Sequence, residues 1–180
     1  MRVISGSMRG KRLREPANYD IRPTTDKVKE SIFNIIQFDI EGRRVLDLFA
    51  GTGQLGIECL SRGAAEVTFV DQSREAIAIV RDNLKSCGFD ARVVQEDSIS
   101  FLSRGGKYDI ILLDPPYATN LLDKALQIIN SVDILTEGGI IMCESGREKP
   151  MPDMNMPYFK RKEYNYGKVK LTTYSKEKQI

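Results

Sequence analysis

From residue 44 almost to the C-terminus, short apolar runs alternate with segments whose apolar positions recur at helical spacing. Arg44–Phe49, Glu66–Asp71, Ala91–Gln95, Tyr108–Asp114 and Gly139–Glu144 read as strands. Gly53–Arg62, Arg74–Cys87, a short piece near Ser98–Leu102, and Leu121–Ser131 read as the helices between them. Such alternation predicts an α/β fold, a mainly parallel sheet with helices on both faces. Tyr158–Ser175 holds two alternating runs split by Asn165-Tyr166-Gly167, which predicts an antiparallel hairpin on the sheet edge and seven strands in all. Ahead of this core, Met1–Leu13 predicts a small β-hairpin with its turn across Gly6–Gly10. Arg22-Pro23-Thr24-Thr25-Asp26 then gives helix-start signals, a Thr cap and an early Asp, and Val28, Ile32, Ile35 and Ile36 space a helix over Lys27–Phe38. No repeat, low-complexity tract or long linker interrupts the chain. Its 180 residues therefore predict one domain, with an N-terminal extension over residues 1–38 and a core over residues 43–175.

Charge changes this picture more than composition does. The net charge of +2 conceals an acidic middle between basic ends. Residues 1–29 carry eight Lys/Arg against three Asp/Glu, residues 30–146 ten against eighteen, and residues 147–180 nine against four. Basic ends that converged in space would offer one rim to a polyanion. There is no histidine, which removes histidine base catalysis, histidine triads and most zinc sites, and no metal is expected. Cys59, Cys87 and Cys143 are scattered and form no CxxC pair; they read as reduced core thiols of a cytoplasmic protein. No run has the length of a membrane span, and the N-terminus lacks the apolar segment of a signal peptide.

The candidate chemistry lies at the predicted strand ends, where ligands bind in sheets of this kind. Asp114-Pro115-Pro116-Tyr117 closes the fourth strand. Proline has no N–H, so the backbone there offers carbonyl acceptors without competing donors. Asp114 adds carboxylate acceptors, and Tyr117 offers a face for stacking a base. Acceptors around an exocyclic amine aim its nitrogen lone pair at an electrophile. An ordinary strand-ending turn would use Asp and Pro as well.

The first strand ends in Asp47-Leu-Phe-Ala-Gly51-Thr-Gly53-Gln-Leu-Gly56, where glycines permit a tight turn and close approach to a ligand. Asp71, ending the second strand, suits a ribose diol. Asp97, after the third, suits an adenine amine. Each has a plainer reading: Gly56 as a packing position, Asp71 and Asp97-Ser98 as helix caps. Gly51-x-Gly53-x-x-Gly56 also matches the dinucleotide fingerprint of a nicotinamide-dependent oxidoreductase. Against that, Asp47 would repel a pyrophosphate at this turn yet suits a ligand carrying an ammonium group. The Asp114–Tyr117 tetrad also gives hydride transfer nothing it needs.

Asp47–Gly56, Asp71, Asp97 and Asp114–Tyr117 together resemble the class I S-adenosylmethionine-dependent amino-methyltransferases, with their Rossmann-like sheet. Met1–Gly6, Arg9–Leu13, Arg22–Asn34, Ser61–Ala64 and Tyr166-Gly167 narrow the resemblance to the bacterial methyltransferases of small-subunit (16S) ribosomal RNA that modify guanine at N2. The likeness runs to about Tyr174. It implies transfer of a methyl group from S-adenosylmethionine, leaving S-adenosylhomocysteine, to the N2 amine of one guanine in that RNA. It implies Asp47, Gly51, Gly53, Asp71, Asp97 and Ser98 at the cofactor, with Phe49 and Gln72 beside them at the same strand ends. Thr24 and Thr25 are expected over the methionine end, and Asp114, Pro115, Pro116 and Tyr117 at the target base. The expected partner is 16S ribosomal RNA, within a small-subunit particle or assembly intermediate, and the expected state is a monomer. Arg2, Arg9, Lys11, Arg12, Arg14, Arg22, Lys160, Arg161 and Lys162 are the candidates for phosphate contact. A DNA adenine-N6 or cytosine-N4 methyltransferase uses similar tetrads but usually has a target-recognition region, for which the residues flanking this core are too few. A methyltransferase of side-chain amides and an inactive RNA-binding module are the remaining alternatives.

Overall fold

The computed structural model describes residues 1–17 and 25–177. Thr24 and Arg22 lie outside the described residues. Five strands, β1 (Arg44–Asp47), β2 (Glu66–Asp71), β3 (Arg92–Gln95), β4 (Tyr108–Leu113) and β5 (Leu135–Gly146), precede a hairpin of β6 (Tyr158–Tyr166) and β7 (Val169–Lys176). Helices α1 (Asp26–Ile36), α2 (Gln54–Ser61), α3 (Arg74–Cys87), α4 (Ser98–Ser103) and α5 (Leu121–Val132) connect or flank them. The strands form one sheet in the order β3-β2-β1-β4-β5-β7-β6. β1 to β5 run parallel, and β7 lies antiparallel to both β5 and β6. This is the predicted architecture.

Side-chain alternation along each strand divides the core into two layers. Val45, Phe69, Ile110 and Leu112 face one layer with Ile32, Phe33, Ile57 and Val80 from α1, α2 and α3. Leu46, Val70, Ile111 and Leu113 face the other with Phe101, Leu126 and Ile129 from α4 and α5. Both faces are covered, which is why these strands read as continuous apolar runs.

Local signals set the helix ends. Thr25 caps α1 by accepting from the Val28 N–H at 3.3 Å. Ser73 does the same for α3 from Ala76 at 3.2 Å, and Gly88 ends that helix with φ +68°. β5 starts at Leu135, earlier than the predicted Gly139. Leu135 pairs with Tyr108, and the register then shifts before Ile110 meets Ile140. The polar Thr136–Gly139 stretch sits in that irregularity and looks like a turn from sequence alone.

The N-terminal hairpin is present as a single bridge between Arg2 and Arg12, and it docks on the face that carries α1, α2 and α3. Glu58 of α2, fully buried, accepts the Ile4 and Ser5 N–H groups at 2.8 and 2.9 Å. Ser61 accepts the Met8 N–H and donates to the Ser5 carbonyl. At Gly6 (φ +83°) any Cβ would lie 1.8 Å from the Ser61 carbonyl oxygen, so the turn admits only glycine there. Lys29 of α1, also buried, donates to the Arg2 carbonyl. Burial lowers its pKa while Glu58 opposes that shift.

Candidate active site

β2 and β4 flank β1 on opposite sides, so the chain's direction across the sheet reverses beside β1. A cleft of about 740 Å³ opens there, beyond the carboxyl ends of the strands. It gathers Asp47, Phe49, Gly51, Asp71, Gln72, Asp97, Ser98, Thr25 and the whole Asp114–Tyr117 tetrad into one wall. Among the described residues assigned to the cofactor, Gly53 alone does not line it. Gly53 serves the turn, capping α2 with φ +78° and facing Val80. Gly56 is a packing glycine: a Cβ there would come within 2.3 Å of the Phe69 ring.

The glycine loop is held from two sides. The Ala50 N–H reaches the Val70 carbonyl at 3.0 Å, and the Gly51 N–H reaches Asp71 Oδ2 at 2.9 Å. Asp71 Oδ1 accepts the Ser73 N–H at 2.8 Å. Each carboxylate oxygen keeps a further acceptor position, so this half-buried group pins the loop and can still receive hydroxyls. Asp97 caps α4, accepting the Ser100 N–H at 2.9 Å, and Ser98 donates to the Leu48 carbonyl at 2.9 Å. The capping role foreseen for Asp97 is therefore real, and the residue still borders the cleft.

Asp47 is 2% exposed. Its Oδ2 accepts the Gly56 N–H at 3.0 Å. Burial raises its pKa to about 7, with that hydrogen bond opposing and Asp71 adding to the shift. Gln54, at the start of α2 and also on the cleft wall, is buried with its Oε1 unsatisfied. The raised Asp47 carboxyl and the orphaned Gln54 amide oxygen both line the cleft, as acceptors short of a cation. The ammonium group of an amino-acid ligand fits them.

On the same cleft, Tyr117 is 43% exposed and its hydroxyl donates to Glu144 Oε1 at 2.6 Å. Glu144, on β5, lines the cleft and is nearly buried. It is missing from the sequence assignments, although an acidic residue ending an apolar strand is the same signal that drew attention to Asp114.

The basic candidates divide. Arg2, Arg9, Lys11 and Arg12 are exposed on the hairpin. Arg14 pairs with Asp82. Lys160 is half-buried, donates to the Met151 carbonyl at 3.2 Å, and lies 3.5 and 3.6 Å from Asp153 and Glu163. Arg161 is exposed, and the Lys162 ammonium sits 4.9 Å over the Tyr164 ring. Tyr164 and Tyr166 pack against the same core layer as the N-terminal hairpin, whereas Lys160, before the β6 bulge, reaches Met151 of the other layer.

A family model described as "Conserved hypothetical protein 95" matches residues 1–175. YlbH of Bacillus subtilis strain 168 is 42% identical over 182 residues, covering 98% of this chain and 99% of that one. Ribosomal RNA small subunit methyltransferase D of Escherichia coli strain K12 is 34% identical over 181 residues, covering 99% and 91%. The structure of yhhF from Escherichia coli superposes with a TM-score of 0.89 at 34% identity, covering 99% of both chains.

Proposed function

The chain belongs to the conserved hypothetical protein 95 family, and on that premise we propose that it methylates the exocyclic N2 amine of one guanine in small-subunit ribosomal RNA, using S-adenosylmethionine. The observation that carries this reading is the single cleft shared by the glycine loop, Asp71 and the Asp114–Tyr117 tetrad. That is the wall expected of a site where an adenosine-bearing donor meets a planar amine.

When bound, S-adenosylmethionine supplies an electrophilic methyl group on its sulfonium. Asp47 and Gln54 hold the ammonium end, the deficit of cation described above being the reason. Asp71 receives the ribose hydroxyls. Asp97 receives the adenine amine, while α4 and Ser98 keep that corner rigid. Asp114 and the Pro115 carbonyl accept the two N–H bonds of the target amine. Guanine N2 is a poor nucleophile because its lone pair is delocalised into the ring. Fixing both hydrogens turns the lone pair toward the methyl group, so positioning supplies much of the rate. The same acceptors stabilise the positive charge that develops on nitrogen. Asp114 or water then takes the proton, and no histidine is needed. Tyr117 replaces the stacking that the base loses when it leaves its neighbours.

The chain acts as a cytoplasmic monomer on a small-subunit particle in this reading, with folded RNA presenting the base to a single-domain enzyme. The test is transfer of a labelled methyl group from S-adenosylmethionine to small subunits from cells lacking this protein, followed by nucleoside digestion. The expected product is N2-methylguanosine. Label in N6-methyladenosine or N4-methylcytidine would keep the mechanism and overturn the base; absence of label would overturn the substrate.

A further inference from the structure

Asp114 directly follows β4, and Glu144 lies near the carboxyl end of the neighbouring β5. Leu113 pairs with Cys143 in parallel register, which makes Asp114 and Glu144 the next neighbours across the two strands. Adjacent strands are about 4.8 Å apart. Leu113 and Cys143 both face the core layer of α4 and α5. Alternation therefore turns Asp114 and Glu144 to the other face, and both line the cleft. Two carboxylate-bearing positions side by side on the cleft wall offer adjacent acceptors, an arrangement that suits a ligand with two adjacent donors.

Guanine has that pattern. Its ring N1–H lies next to its N2 amine, so it presents neighbouring donors along one edge. Adenine and cytosine present an amine next to a ring nitrogen that is an acceptor. Against a carboxylate, that acceptor is repelled rather than bound.

We propose that Glu144 is the guanine-reading residue: it accepts the ring N1–H while Asp114 and the Pro115 carbonyl hold the amine. The inference rests on the guanine-N2 reading above and adds how the base is told from others. Glu144 Oε1 already receives the Tyr117 hydroxyl at 2.6 Å. That bond fixes the carboxylate's orientation at the edge of the stacking ring, and a carboxylate has about four acceptor positions in all. The Tyr117 ring and the carboxylate thus meet the same base on its face and its edge.

The plainer role for Glu144 is to hold Tyr117 in place, and two variants separate the roles. Glu144→Gln keeps an oxygen for the Tyr117 hydroxyl but removes the charge and gives the edge a donor. Tyr117→Phe deletes the Tyr117–Glu144 bond from the other side and leaves the carboxylate. Methyl transfer to small subunits from cells lacking this protein is measured for both, with the dissociation constant of S-adenosylhomocysteine as the check on folding. We expect Glu144→Gln to lower kcat/KM by about 100-fold, the weight of a charge-assisted hydrogen bond, with S-adenosylhomocysteine affinity unchanged. Tyr117→Phe should lose at least tenfold less. Equal losses in the two variants would show that Glu144 acts only through Tyr117 and would overturn the proposal. Transfer by Glu144→Gln within threefold of wild type would overturn it too, as would a parallel loss of S-adenosylhomocysteine binding. If wild-type enzyme labels a base other than guanine, the underlying function fails first, and that result is read on wild type alone.

Discussion

Arg14 and Asn83 exchange a reciprocal pair of hydrogen bonds: the Arg14 N–H donates to Asn83 Oδ1 at 2.6 Å, and Asn83 Nδ2 donates back to the Arg14 carbonyl at 3.1 Å. The same Nδ2 reaches the Thr52 carbonyl at 3.0 Å. One buried amide on α3 thus ties the end of the N-terminal hairpin to the glycine loop. Replacing it by Ala leaves the Arg14 and Thr52 backbone groups to find other partners. Asn83→Ala should cost about 2–3 kcal/mol, seen as a lower denaturant midpoint. It should also speed amide exchange at Arg14. An unchanged midpoint would show that water replaces the amide.

Glu58 makes the larger stability prediction. Fully buried, it accepts from Ile4, Ser5 and the Arg62 guanidinium, the last at 2.8 Å. Removing it strips two backbone donors and a cation of their acceptor. Breaking one partner of a buried pair typically costs about 3–5 kcal/mol. Glu58→Ala should therefore destabilise the protein by about that amount and release the hairpin, read as new proteolytic cleavage within the first 13 residues. Arg62 is only partly covered, so Arg62→Ala should cost distinctly less.

Asp47 predicts a pH dependence for cofactor binding. Its pKa, raised to about 7 by burial, means the folded protein holds a proton there that the unfolded chain releases near its ordinary 3.8. Stability from this group is therefore present at low pH and lost as pH rises from about 4 through 7. A ligand ammonium selects the opposite form, the carboxylate. Affinity for S-adenosylhomocysteine should fall as pH drops below 7, approaching about tenfold per unit, with proton release on binding between about pH 4 and 7. Asp47→Asn should flatten that profile, weaken binding at pH 8 and stabilise the ligand-free protein there. A profile unchanged by the substitution would assign the titration to another group.

Much of this was legible from the order of residues, and the reasons are local. β2 and α3 appear at the predicted limits because an apolar run, the Ser73 cap and the Gly88 stop all agree. Asp71 and Asp114 could be found because each terminates an apolar run, and Asp97 because it follows the third strand in a helix-cap pair with Ser98. Glu144 ends such a run too, but its partner Tyr117 lies 27 positions earlier. Nothing short of the β4–β5 register puts Glu144 beside Asp114. Glu58 and Lys29 were hidden for a related reason: charged side chains on amphipathic helices read as solvated, and only the docked hairpin buries them. Gly53 and Gly56 fit a ligand-binding pattern in sequence, whereas their contacts with Val80 and Phe69 belong to packing.

Asp114 separates chemistry from binding. It lines the same cleft as Asp47 and Gln54, and in the proposed reading it meets the base while they meet the ammonium group. Asp114→Ala should lose nearly all methyl transfer, about 1,000-fold or more where positioning and charge stabilisation are both removed. S-adenosylhomocysteine affinity should stay within about threefold, below the worth of one ordinary hydrogen bond. Equal turnover in this variant would dismiss the tetrad as a turn.

The basic ends should differ in how much of the salt dependence they carry. Arg9, Lys11 and Arg12 are exposed on the docked hairpin, and Arg161 is exposed on β6. Their charges are available to phosphates, and each contact releases counterions, worth about 0.7–0.9 in the slope of log affinity against log salt. Lys160 belongs to the same basic run, but Asp153, Glu163 and the Met151 carbonyl already surround its ammonium. Arg14 likewise shares its charge with Asp82. A triple Arg9→Ala, Lys11→Ala, Arg12→Ala variant should therefore lower the slope for small-subunit binding by about 2, at unchanged S-adenosylhomocysteine affinity. Lys160→Ala should lower it by much less than Arg161→Ala. Identical slopes for wild type and the triple variant would mean that the hairpin faces solvent rather than RNA. A large effect at Lys160 would mean that its ion pairs open on binding.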